Sequence, residues 1–579
     1  MDQTSALSPA RVLPIMGFGP PGLRKTLPPL HPKDLLLAAR LEPDHVAALL
    51  APYRFKDPAK ADANLQLIAN EPRVRHLLAE VVEELLDCLA RSPDPDQALN
   101  YFERFSRASY NKAQLFSYLK ASPYTLWLLA KLLASSPFLS EILIRNPPYL
   151  YWITLPGTLE NPRTKADLAR ELSQVLKALT TREGKLRTLS VFKRKELLRI
   201  GVSDLLGRAT VEQTTAALSV LAQVVIQQIY ELCEQSLNGQ YGLPTRRSAA
   251  AKRGRAPFTV LGMGKLGGGE LNFSSDVDLI YLYDAADGTT TGQLSGGPTT
   301  RISNREYFQR LSQTITAALT EVTNEGYLYR TDLRLRPDGR AGAIASDLRE
   351  ALQYYANRGA TWERLALLKA WPVAGDLRLG RQFLKQVASF IYGQPFSLHN
   401  LAEVRTVKEA IDKEMRAKGE WERNVKLGGG GIREIEFFVQ SIQAFFGGKL
   451  PAIQERTTLK ALDILRRHRL VPPDACRELA AAYRFLRNVE HRLQMVHELQ
   501  THSLPADPDE LRICALRLDY RDAPDATATD QLLGDYRLHT GRVNQIFRAF
   551  FDTPEDSPVV RAALGKTSRP ASKRVTKKR

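Results

Sequence analysis

Cysteine and long hydrophobic runs are both scarce in this sequence. Four cysteines are scattered through 579 residues and form no metal-binding or redox motif: Cys88, Cys233, Cys476 and Cys514. Such sparse use of cysteine is typical of a reducing compartment, so we expect a cytoplasmic protein. The apolar run at 126–130 stops at Lys131 and, like the other runs, is too short to span a bilayer. We therefore expect no membrane association.

Acidic residues are also fewer than basic ones. The chain has 63 Asp and Glu against 81 Lys and Arg, a formal net charge of +18. Such an excess can attract nucleic acid or another polyanion, so a basic nucleic-acid-binding protein is one function class to test. Residues 566–579 hold seven basic residues and no acidic one, and we interpret them as a disordered, solubilising tail. Residues 1–34 lack a continuous apolar core and are interpreted as a flexible arm rather than a signal peptide.

One stretch, residues 258–284, combines a glycine-rich segment with closely spaced carboxylates, as catalytic sites often do. Apolar runs at 258–261 and 277–283 each predict a strand, and a glycine-rich turn lies between them. Asp276 and Asp278 stand where the second strand begins. Because side chains in a strand alternate between faces, the two carboxylates project side by side. They repel each other unless a cation lies between them, and hard oxygen ligands suit Mg²⁺ beside substrate phosphates.

The glycines between the two strands suit phosphate binding. Without side chains, they let backbone N–H groups approach a phosphate closely. A phosphate cradle followed by a metal-binding carboxylate pair is the outline of a phosphoryl- or nucleotidyl-transfer site. The glycines concerned are Gly262, Gly264, Gly267, Gly268 and Gly269.

Three other interpretations of the glycines are considered. Residues 262–267 match the GxGxxG of dinucleotide-binding folds, but that motif opens a helix and has an acidic residue about 20 positions further on. Here more glycine, a short polar segment and a second strand follow instead. A P-loop needs Lys where Gly268 stands. The third interpretation is a plain glycine-rich hairpin with solvated aspartates, because Asp-x-Asp alone is common.

A longer run carries a family resemblance. Residues 262–278, GMGKLGGGELNFSSDVD, resemble the nucleotidyltransferase superfamily of DNA polymerase β and, more closely, the glutamine synthetase adenylyltransferase/deadenylylase family. The superfamily pattern is Gly followed by Gly or Ser, a spacer and Asp-x-Asp. Gly267-Gly268 fits this pattern directly and Gly264-Lys265 fits it loosely, so either pair is a candidate for the phosphate contact. The resemblance implies nucleotide or phosphate binding by Gly264, Lys265, Gly267, Gly268 and Ser275.

Residues 327–336, YLYRTDLRLR, predict a third strand by their alternation. Arg330, Asp332, Arg334 and Arg336 fall on one face, and tyrosine and leucine side chains fall on the other. By itself, a carboxylate among arginines fits a surface ion-pair network equally well. The resemblance implies that Asp332 is a third metal-binding and catalytic carboxylate beside the Asp-x-Asp pair. Arginine suits phosphate oxygens because its guanidinium pairs with them bidentately, so Arg334 and Arg336 are phosphate-binding candidates.

A second glycine turn, KLGGGG at 426–431, enters a predicted helix. It can bind an anion at the helix N-terminus or serve as a tight interhelical turn, and both interpretations stay open. Residues 361–370 predict a compact helix ended by Pro372. A further helix, packed on the sheet, is predicted from apolar residues at helical spacing: Tyr307, Leu311, Ile315, Leu319 and Val322.

Other segments give local predictions only. Residues 35–240 predict helices broken by prolines and polar turns, with a buried helix at 125–133. Residues 191–200 are basic and amphipathic and are interpreted as a helix with a solvated face. Residues 246–255 predict an exposed linker or loop, and residues 285–300 predict a mobile loop rich in glycine, threonine and aspartate.

The resemblance covers residues 35–552 but corresponds to one half of the usual family member, which has two nucleotidyltransferase halves around a regulatory helical region. The sequence contains no second glycine stretch followed by Asp-x-Asp. Residues 270–276 and 432–436 look like the adenylyl-removing half. The resemblance therefore implies an enzyme that removes AMP from the adenylylated tyrosine of glutamine synthetase by phosphorolysis, releases ADP and so regulates nitrogen assimilation.

Two alternative functions stay open. The same site chemistry permits the forward reaction, ATP-dependent adenylylation of that tyrosine. A basic nucleic-acid-binding protein with a vestigial site belongs to another class, but the intact carboxylate trio argues against it, so nucleic acid is not an expected partner. The resemblance implies two Mg²⁺ ions and phosphate or ATP as co-substrate. Besides glutamine synthetase, it allows two partners, the PII signalling protein and a separate protein that supplies the missing half.

These patterns together predict an α+β protein that is predominantly helical. We expect a small mixed β-sheet that carries the nucleotidyltransferase site, and a C-terminal helical bundle. Hydrophobic content of 44% and charged content of 25% are typical of globular domains. The predicted division is a flexible arm at 1–34, a helical region at 35–245, a catalytic core at 246–375, a helical bundle at 376–555 and a basic tail at 556–579.

Overall fold

The computed structural model describes residues 31–38, 41–247, 253–292, 300–497 and 500–564. Most of the predicted N-terminal arm and the run of basic residues at 566–579 lie outside the described residues, as do residues 293–299 of the predicted loop at 285–300. The described chain is mainly helical and contains a small mixed sheet, so the predicted α+β class is confirmed.

The described residues that precede the first strand are mainly helical. Several helices begin at a proline, whose fixed φ suits the first helical turn. Several are capped by a polar side chain: at the start of α7, for example, Ser122 Oγ accepts a hydrogen bond from the N–H of Thr125 at 3.3 Å. The helices are α1 Asp34–Leu37, α2 Pro43–Leu50, α3 Pro58–Ile68, α4 Pro72–Ala90, α5 Pro95–Ala108, α6 Lys112–Ala121, α7 Pro123–Ser135, α8 Pro137–Arg145, α9 Tyr149–Ile153, α10 Lys165–Lys177, α11 Arg182–Leu205 and α12 Val211–Tyr241. A 3₁₀ turn follows α2 at Ala51–Tyr53.

Helix α12 is, in the described part of the chain, the one helix long and apolar enough to cross a membrane by length and composition. The expectation that every apolar run is too short overlooked it. More than half of its most apolar window is buried, and it packs against α11 and the sheet. It is a core helix of this fold.

The strands form a two-stranded ribbon and a five-stranded sheet. They are β1 Thr245–Arg247, β2 Arg253–Arg255, β3 Phe258–Gly262, β4 Val277–Tyr283, β5 Thr331–Asp332, β6 Ala345–Asp347 and β7 Trp371–Gly375. The main sheet has the order β5-β4-β3-β7, with β6 also paired to β4. Strand β4 is parallel to β5 and β6, whereas β3 is antiparallel to β4 and β7.

A short helix, α13 Gly264–Gly268, joins β3 to β4. The glycine stretch was expected to be a turn, so the one-turn helix is a correction. The dinucleotide-binding interpretation is nevertheless wrong, because it requires parallel strands on either side of the helix and these strands are antiparallel.

Helices return after β4. The first of them packs with the N-terminal helices, and the later ones mainly cover the other side of the sheet. They are α14 Asn304–Thr320, α15 Leu348–Arg358, α16 Thr361–Leu367, α17 Leu377–Ala388, α18 Leu398–Ala417, α19 Ile432–Phe446, α20 Thr458–Arg467, α21 Pro473–His497, α22 Pro508–Arg517, α23 Ala528–Phe551 and α24 Pro558–Ala563. A π-helical turn at Ser389–Gly393 and a 3₁₀ turn at Pro451–Ile453 complete the set.

The sheet separates two hydrophobic cores. On β4, Leu279 and Tyr281 pack into the core built mainly from the N-terminal helices, whereas Ile280 and Leu282 pack into the core of the C-terminal helices. Since side chains alternate along a strand, Asp278 lies on the same side as Ile280. The carboxylate therefore faces the C-terminal half of the protein.

The predicted strand over 327–336 is wrong for most of its length. Only Thr331 and Asp332 pair, and they pair with β4. Beyond them, the N–H of Arg334 donates to Asp332 Oδ1 at 2.8 Å and the N–H of Arg336 donates to the carbonyl of Leu333 at 3.3 Å. These local hydrogen bonds compete with a strand ladder and turn the chain away from the sheet.

The predicted solvated face on residues 191–200 is also wrong. Lys193 and Arg199 of α11 are each only 5% exposed. The Lys193 ammonium lies 4.7 Å from the ring centroid of Tyr329, and Arg199 Nε donates to Glu196 Oε2 at 2.8 Å. Each buried cation has a partner, which is the condition under which a charge is tolerated in a core.

Three smaller predictions also need correction. The segment predicted as a linker at 246–255 contributes β1 and β2 to an antiparallel ribbon. Pro372 lies inside β7, and α16 ends earlier, at Leu367. Val322 is 76% exposed beyond the end of α14, although the other four residues of its predicted stripe are buried. The buried helix predicted at 125–133 is confirmed as part of α7.

Candidate active site

The site is built on a pair of parallel strands. Asp278 of β4 and Asp332 of β5 are register partners, and Asp276 immediately precedes β4. Adjacent parallel strands lie about 4.8 Å apart, so the side chains of two register partners are neighbours on one face. The pKa of Asp278 is raised to about 6, first by burial and then by the negative charges of Asp332 and Asp276. The three predicted carboxylates therefore come together.

The glycine stretch makes room for Asp278. The N–H of Met263 donates to the carbonyl of Asp278 at 2.8 Å. Gly264 has a φ of 50°, and a Cβ at this position would lie 2.6 Å from Asp278 Oδ2. Glycine is required here both by the backbone conformation and by the carboxylate it touches. At Gly267 a Cβ would lie 2.0 Å from the carbonyl of Lys369, so this glycine is required by packing.

Arginines neutralise two of the three carboxylates. Arg330 Nε donates to Asp276 Oδ1 at 2.7 Å. Arg334 Nε and Nη2 donate to Asp332 Oδ2 at 2.8 and 2.6 Å. Burial would raise the pKa of Asp332, but its hydrogen bonds from Arg334 outweigh burial and hold the pKa below its usual value. The Arg334 side chain is 64% exposed, so it can leave Asp332 at little packing cost.

The donor set suits a divalent cation, since clustered carboxylate oxygens are the ligands that Mg²⁺ prefers. Burial and, after it, the charges of Asp332 and Asp276 raise the pKa of Asp278, and a bound cation would relieve the repulsion between these carboxylates. Among the described residues, however, no three acidic, histidine or cysteine side chains converge as a formed metal site. The arginine pairs explain this, because they turn Asp276 and Asp332 toward guanidinium groups.

The predicted phosphate-binding residues have different surroundings. The Lys265 side chain is 12% exposed, and its Nζ lies 2.8 Å from Glu490 Oε1 of α21. Burial lowers the pKa of Lys265 to about 7, with Glu490 opposing the change. Ser275 Oγ accepts from the N–H of Asn272 at 3.3 Å. Arg336 donates to the carbonyls of its own turn, including Leu333 at 2.8 Å. Phosphate binding by these residues, and by Gly264, Gly267, Gly268 and Arg334, stays a prediction.

The second glycine turn lies beside the carboxylates and brings cations that were not predicted as site residues. Lys426 and Arg433 are among the charges that act on Asp278, and both favour its ionised form. The run KLGGGGIREIE contains these two cations, but no local pattern in it shows that they face a carboxylate more than a hundred residues earlier. Tertiary packing alone brings them there.

The glycines of this turn are explained by packing. A Cβ on Gly429 would lie 2.5 Å from the Trp421 ring, and one on Gly430, whose φ is 71°, would lie 1.9 Å from the carbonyl of Thr540. The tight-turn interpretation is therefore sufficient for the glycines themselves. Any anion bound nearby would depend on the side chains that the turn positions.

A buried ionic cluster fastens the glycine stretch to the C-terminal helices. Lys369 Nζ lies 2.8 Å from Glu270 Oε2 and 2.9 Å from Glu436 Oε1. Glu270 Oε1 also accepts from the N–H of Thr458 at 2.7 Å, and Arg487 Nη2 donates to the carbonyl of Glu270 at 2.6 Å. All the charged members are at least nine-tenths buried. The cluster fixes the glycine stretch relative to α19, α20 and α21.

Two family models match different parts of the chain. The family model for glutamate-ammonia ligase adenylyltransferase matches residues 126–386, which include all three carboxylates and the glycine stretch. These residues of the chain are similar to that family. The family model for GlnD PII-uridylyltransferase matches residues 402–551, which include the second glycine turn and α19 to α23. The predicted family resemblance is therefore confirmed.

Curated relatives extend the match. The chain is 35% identical over 434 residues to a protein of Pseudomonas aeruginosa, covering 75% of this chain and 42% of the relative. It is 36% identical over 487 residues to a protein of Rhizobium meliloti, covering 81% and 47%. Both relatives are named bifunctional glutamine synthetase adenylyltransferase/adenylyl-removing enzyme. The chain spans less than half the length of these relatives.

Proposed function

We propose that the protein is a nucleotidyltransferase that removes AMP from the adenylylated tyrosine of glutamine synthetase, using inorganic phosphate and releasing ADP. The observation that carries the proposal is the in-register pairing of Asp278 with Asp332 beside Asp276, within the family match. The names of the relatives include both adenylyl transfer and adenylyl removal. The choice of removal rests on residues 270–276 and 432–436, which look like the removing half.

The reaction balances as a single displacement. A phosphate oxygen forms a bond to the AMP phosphorus, and the bond from that phosphorus to the tyrosyl oxygen breaks. The tyrosyl oxygen takes up the proton that the attacking hydrogen phosphate loses, because a phenol with a pKa of about 10 is protonated at neutral pH. ADP and free tyrosine are the products.

Asp276, Asp278 and Asp332 would hold the Mg²⁺ ions, which supply positive charge to the phosphoryl oxygens and to the leaving oxygen. Besides pairing with the carboxylates, two arginines have further proposed roles in binding phosphate and in holding the segment before β4. Arg334 is exposed and ion-paired to Asp332, so it can exchange this carboxylate for phosphate oxygens, which it pairs bidentately. Arg330 stays beside Asp276 and, through Ser274, holds the segment before β4, since Arg330 Nη2 donates to the Ser274 carbonyl at 2.6 Å.

The second candidate function is ATP-dependent adenylylation of the same tyrosine. It is retained because the names of the relatives include it and because the carboxylates serve both directions. In that direction the enzyme binds ATP and releases pyrophosphate.

We also propose a cytoplasmic location, which agrees with four unpaired cysteines. We further propose a partner that supplies the remaining half of the relatives' length.

The decisive experiment incubates the purified protein with adenylylated or unmodified glutamine synthetase, with Mg²⁺ and either phosphate or ATP. Mass spectrometry follows AMP on the tyrosine, and nucleotide analysis follows ADP and pyrophosphate. We expect phosphate-dependent loss of AMP with stoichiometric ADP. If the protein instead consumes ATP to modify the unmodified substrate and releases no ADP with phosphate, adenylylation replaces removal. Adding the PII signalling protein in parallel tests whether it controls the rate.

A further inference from the structure

Two cations from the C-terminal half of the protein flank the second glycine turn. Lys426 stands at its start, and Arg433 lies in the first turn of α19. The N–H of Arg433 donates to the carbonyl of Lys426 at 2.9 Å, which closes the turn and keeps the two residues together. Both are only partly exposed, and both act electrostatically on Asp278. They therefore approach the carboxylates from the side opposite the N-terminal helices.

Three other cations of the site already have carboxylate partners. Arg433 itself has a long contact, with its Nη1 3.6 Å from Glu436 Oε2. Lys426 differs, because among the described residues its ammonium makes neither a hydrogen bond nor an ion pair. An ammonium has three donors, and leaving them unpaired in a largely buried position is costly. The paired cations are Lys265 with Glu490 at 2.8 Å, Arg330 with Asp276 at 2.7 Å and Arg334 with Asp332 at 2.6 Å.

We propose that Lys426 and Arg433 bind the attacking inorganic phosphate beside the carboxylates that would hold Mg²⁺. The inference rests on the proposed function and deepens it, because it names the two side chains that bind the negative charge of the phosphate co-substrate. A phosphate dianion matches one free ammonium and one guanidinium fork. Lys265, for which the family resemblance implies nucleotide or phosphate binding, has its ammonium paired with Glu490. The phosphate site is thus completed by the C-terminal half of the chain.

The test compares Lys426→Gln and Arg433→Gln with the wild-type full chain in the phosphate-dependent reaction. Each loses one charge-assisted contact, so the KM for phosphate should rise roughly tenfold to a hundredfold. The KM for adenylylated glutamine synthetase should change less than roughly twofold, since neither side chain would contact the protein substrate. Arg433→Lys should recover part of the loss. Lys449→Gln is the matched control, because Lys449 is exposed just after α19.

A binding measurement separates this inference from the proposed function. Inorganic phosphate is titrated into the purified chain with Mg²⁺, by calorimetry or ³¹P line broadening, without any protein substrate. Wild type and Lys449→Gln should bind phosphate and Lys426→Gln should bind it at least roughly tenfold more weakly. This result supports the inference even if glutamine synthetase is not turned over.

A purely structural role gives a different outcome. If Lys426 only balances the charge of Asp278, Lys426→Gln would lower the Tm but leave both the phosphate affinity and the KM for phosphate at wild-type values. That result would overturn the proposal. Circular dichroism of each variant confirms that it is folded, and Arg433→Gln provides a second, independent measurement if Lys426→Gln unfolds.

Discussion

Asp278 and Asp332 are register partners on two parallel strands, β4 and β5, and their carboxylates lie on the same face of the sheet. The fold thus holds two like charges together, with Asp276 beside them. Burial and the two neighbouring charges raise the pKa of Asp278 to about 6. Such an arrangement is unfavourable for the empty protein and favourable once a cation arrives, as is typical of a site selected for binding rather than for stability.

The first prediction concerns pH. In the unfolded chain Asp278 ionises near pH 3.8, whereas in the fold it ionises near pH 6, so the native state binds more protons between these values. Stability without divalent cations should therefore fall as pH rises from about 4 to 6, by an amount of order 2–3 kcal/mol from this group. Urea unfolding in EDTA at several pH values measures the slope, and Asp278→Asn should flatten it.

The second prediction concerns the carboxylates themselves. Asp276→Asn or Asp278→Asn removes a charged oxygen ligand but almost no volume, so turnover should fall at least roughly a hundredfold while the fold persists. At pH 7 Asp278→Asn should be more stable than wild type, because it no longer buries a charge next to Asp332. Steady-state rates and thermal unfolding check both parts. Retention of most Mg²⁺-dependent activity by both variants would remove the metal-binding role.

The third prediction concerns Gly264. Gly264→Ala places a Cβ 2.6 Å from Asp278 Oδ2 at a residue with φ of 50°, so it should destabilise the fold by about 1–2 kcal/mol and reduce kcat. Gly239→Ala is the control. Gly239 lies in helix α12 with no atom within 4 Å of an added Cβ, and alanine there should stabilise by roughly 0.5–1 kcal/mol. Equal effects of the two substitutions would contradict the contact argument.

The fourth prediction concerns the buried cluster at Lys369. Lys369→Met leaves Glu270 and Glu436 buried without their shared cation, so stability should fall by about 3–5 kcal/mol. Glu436 should become easier to protonate, because Lys369 is the main charge that offsets burial and keeps its pKa low. Lys418→Met removes an exposed ion pair with Glu414 and should produce no measurable change. Chemical denaturation compares the two variants at pH 7.

The fifth prediction concerns residues 566–579, which lie outside the described residues. Their composition cannot form a core, so their deletion should leave kcat and KM with glutamine synthetase unchanged. Rates are compared at low and high salt. A loss of activity that appears only at low salt would make this basic segment a docking element, since such attraction is screened by salt.

Several features of the site were predictable from local sequence. The run at 277–283 coincides with β4, and the run at 258–261 falls within β3, because β-branched and aromatic residues in short apolar runs favour buried strands. The two-residue spacing of Asp276 and Asp278 predicted that they are neighbours, and Asp276 is among the charges that raise the pKa of Asp278. The third carboxylate, Asp332, came from the family resemblance rather than from its own alternating pattern.

What tertiary structure decided is which distant groups meet. The strand predicted around Asp332 shrinks to two residues, since Arg334 bonds back to that carboxylate instead of extending the ladder. Lys426 and Arg433 reach Asp278, and Lys369 joins Glu270 to Glu436, only because the C-terminal helices pack on the far face of the sheet. The sequence shows that a residue is cationic, but it does not show which group the residue contacts. Its partner and its burial depend on contacts between segments far apart in the chain, and no local periodicity encodes those contacts.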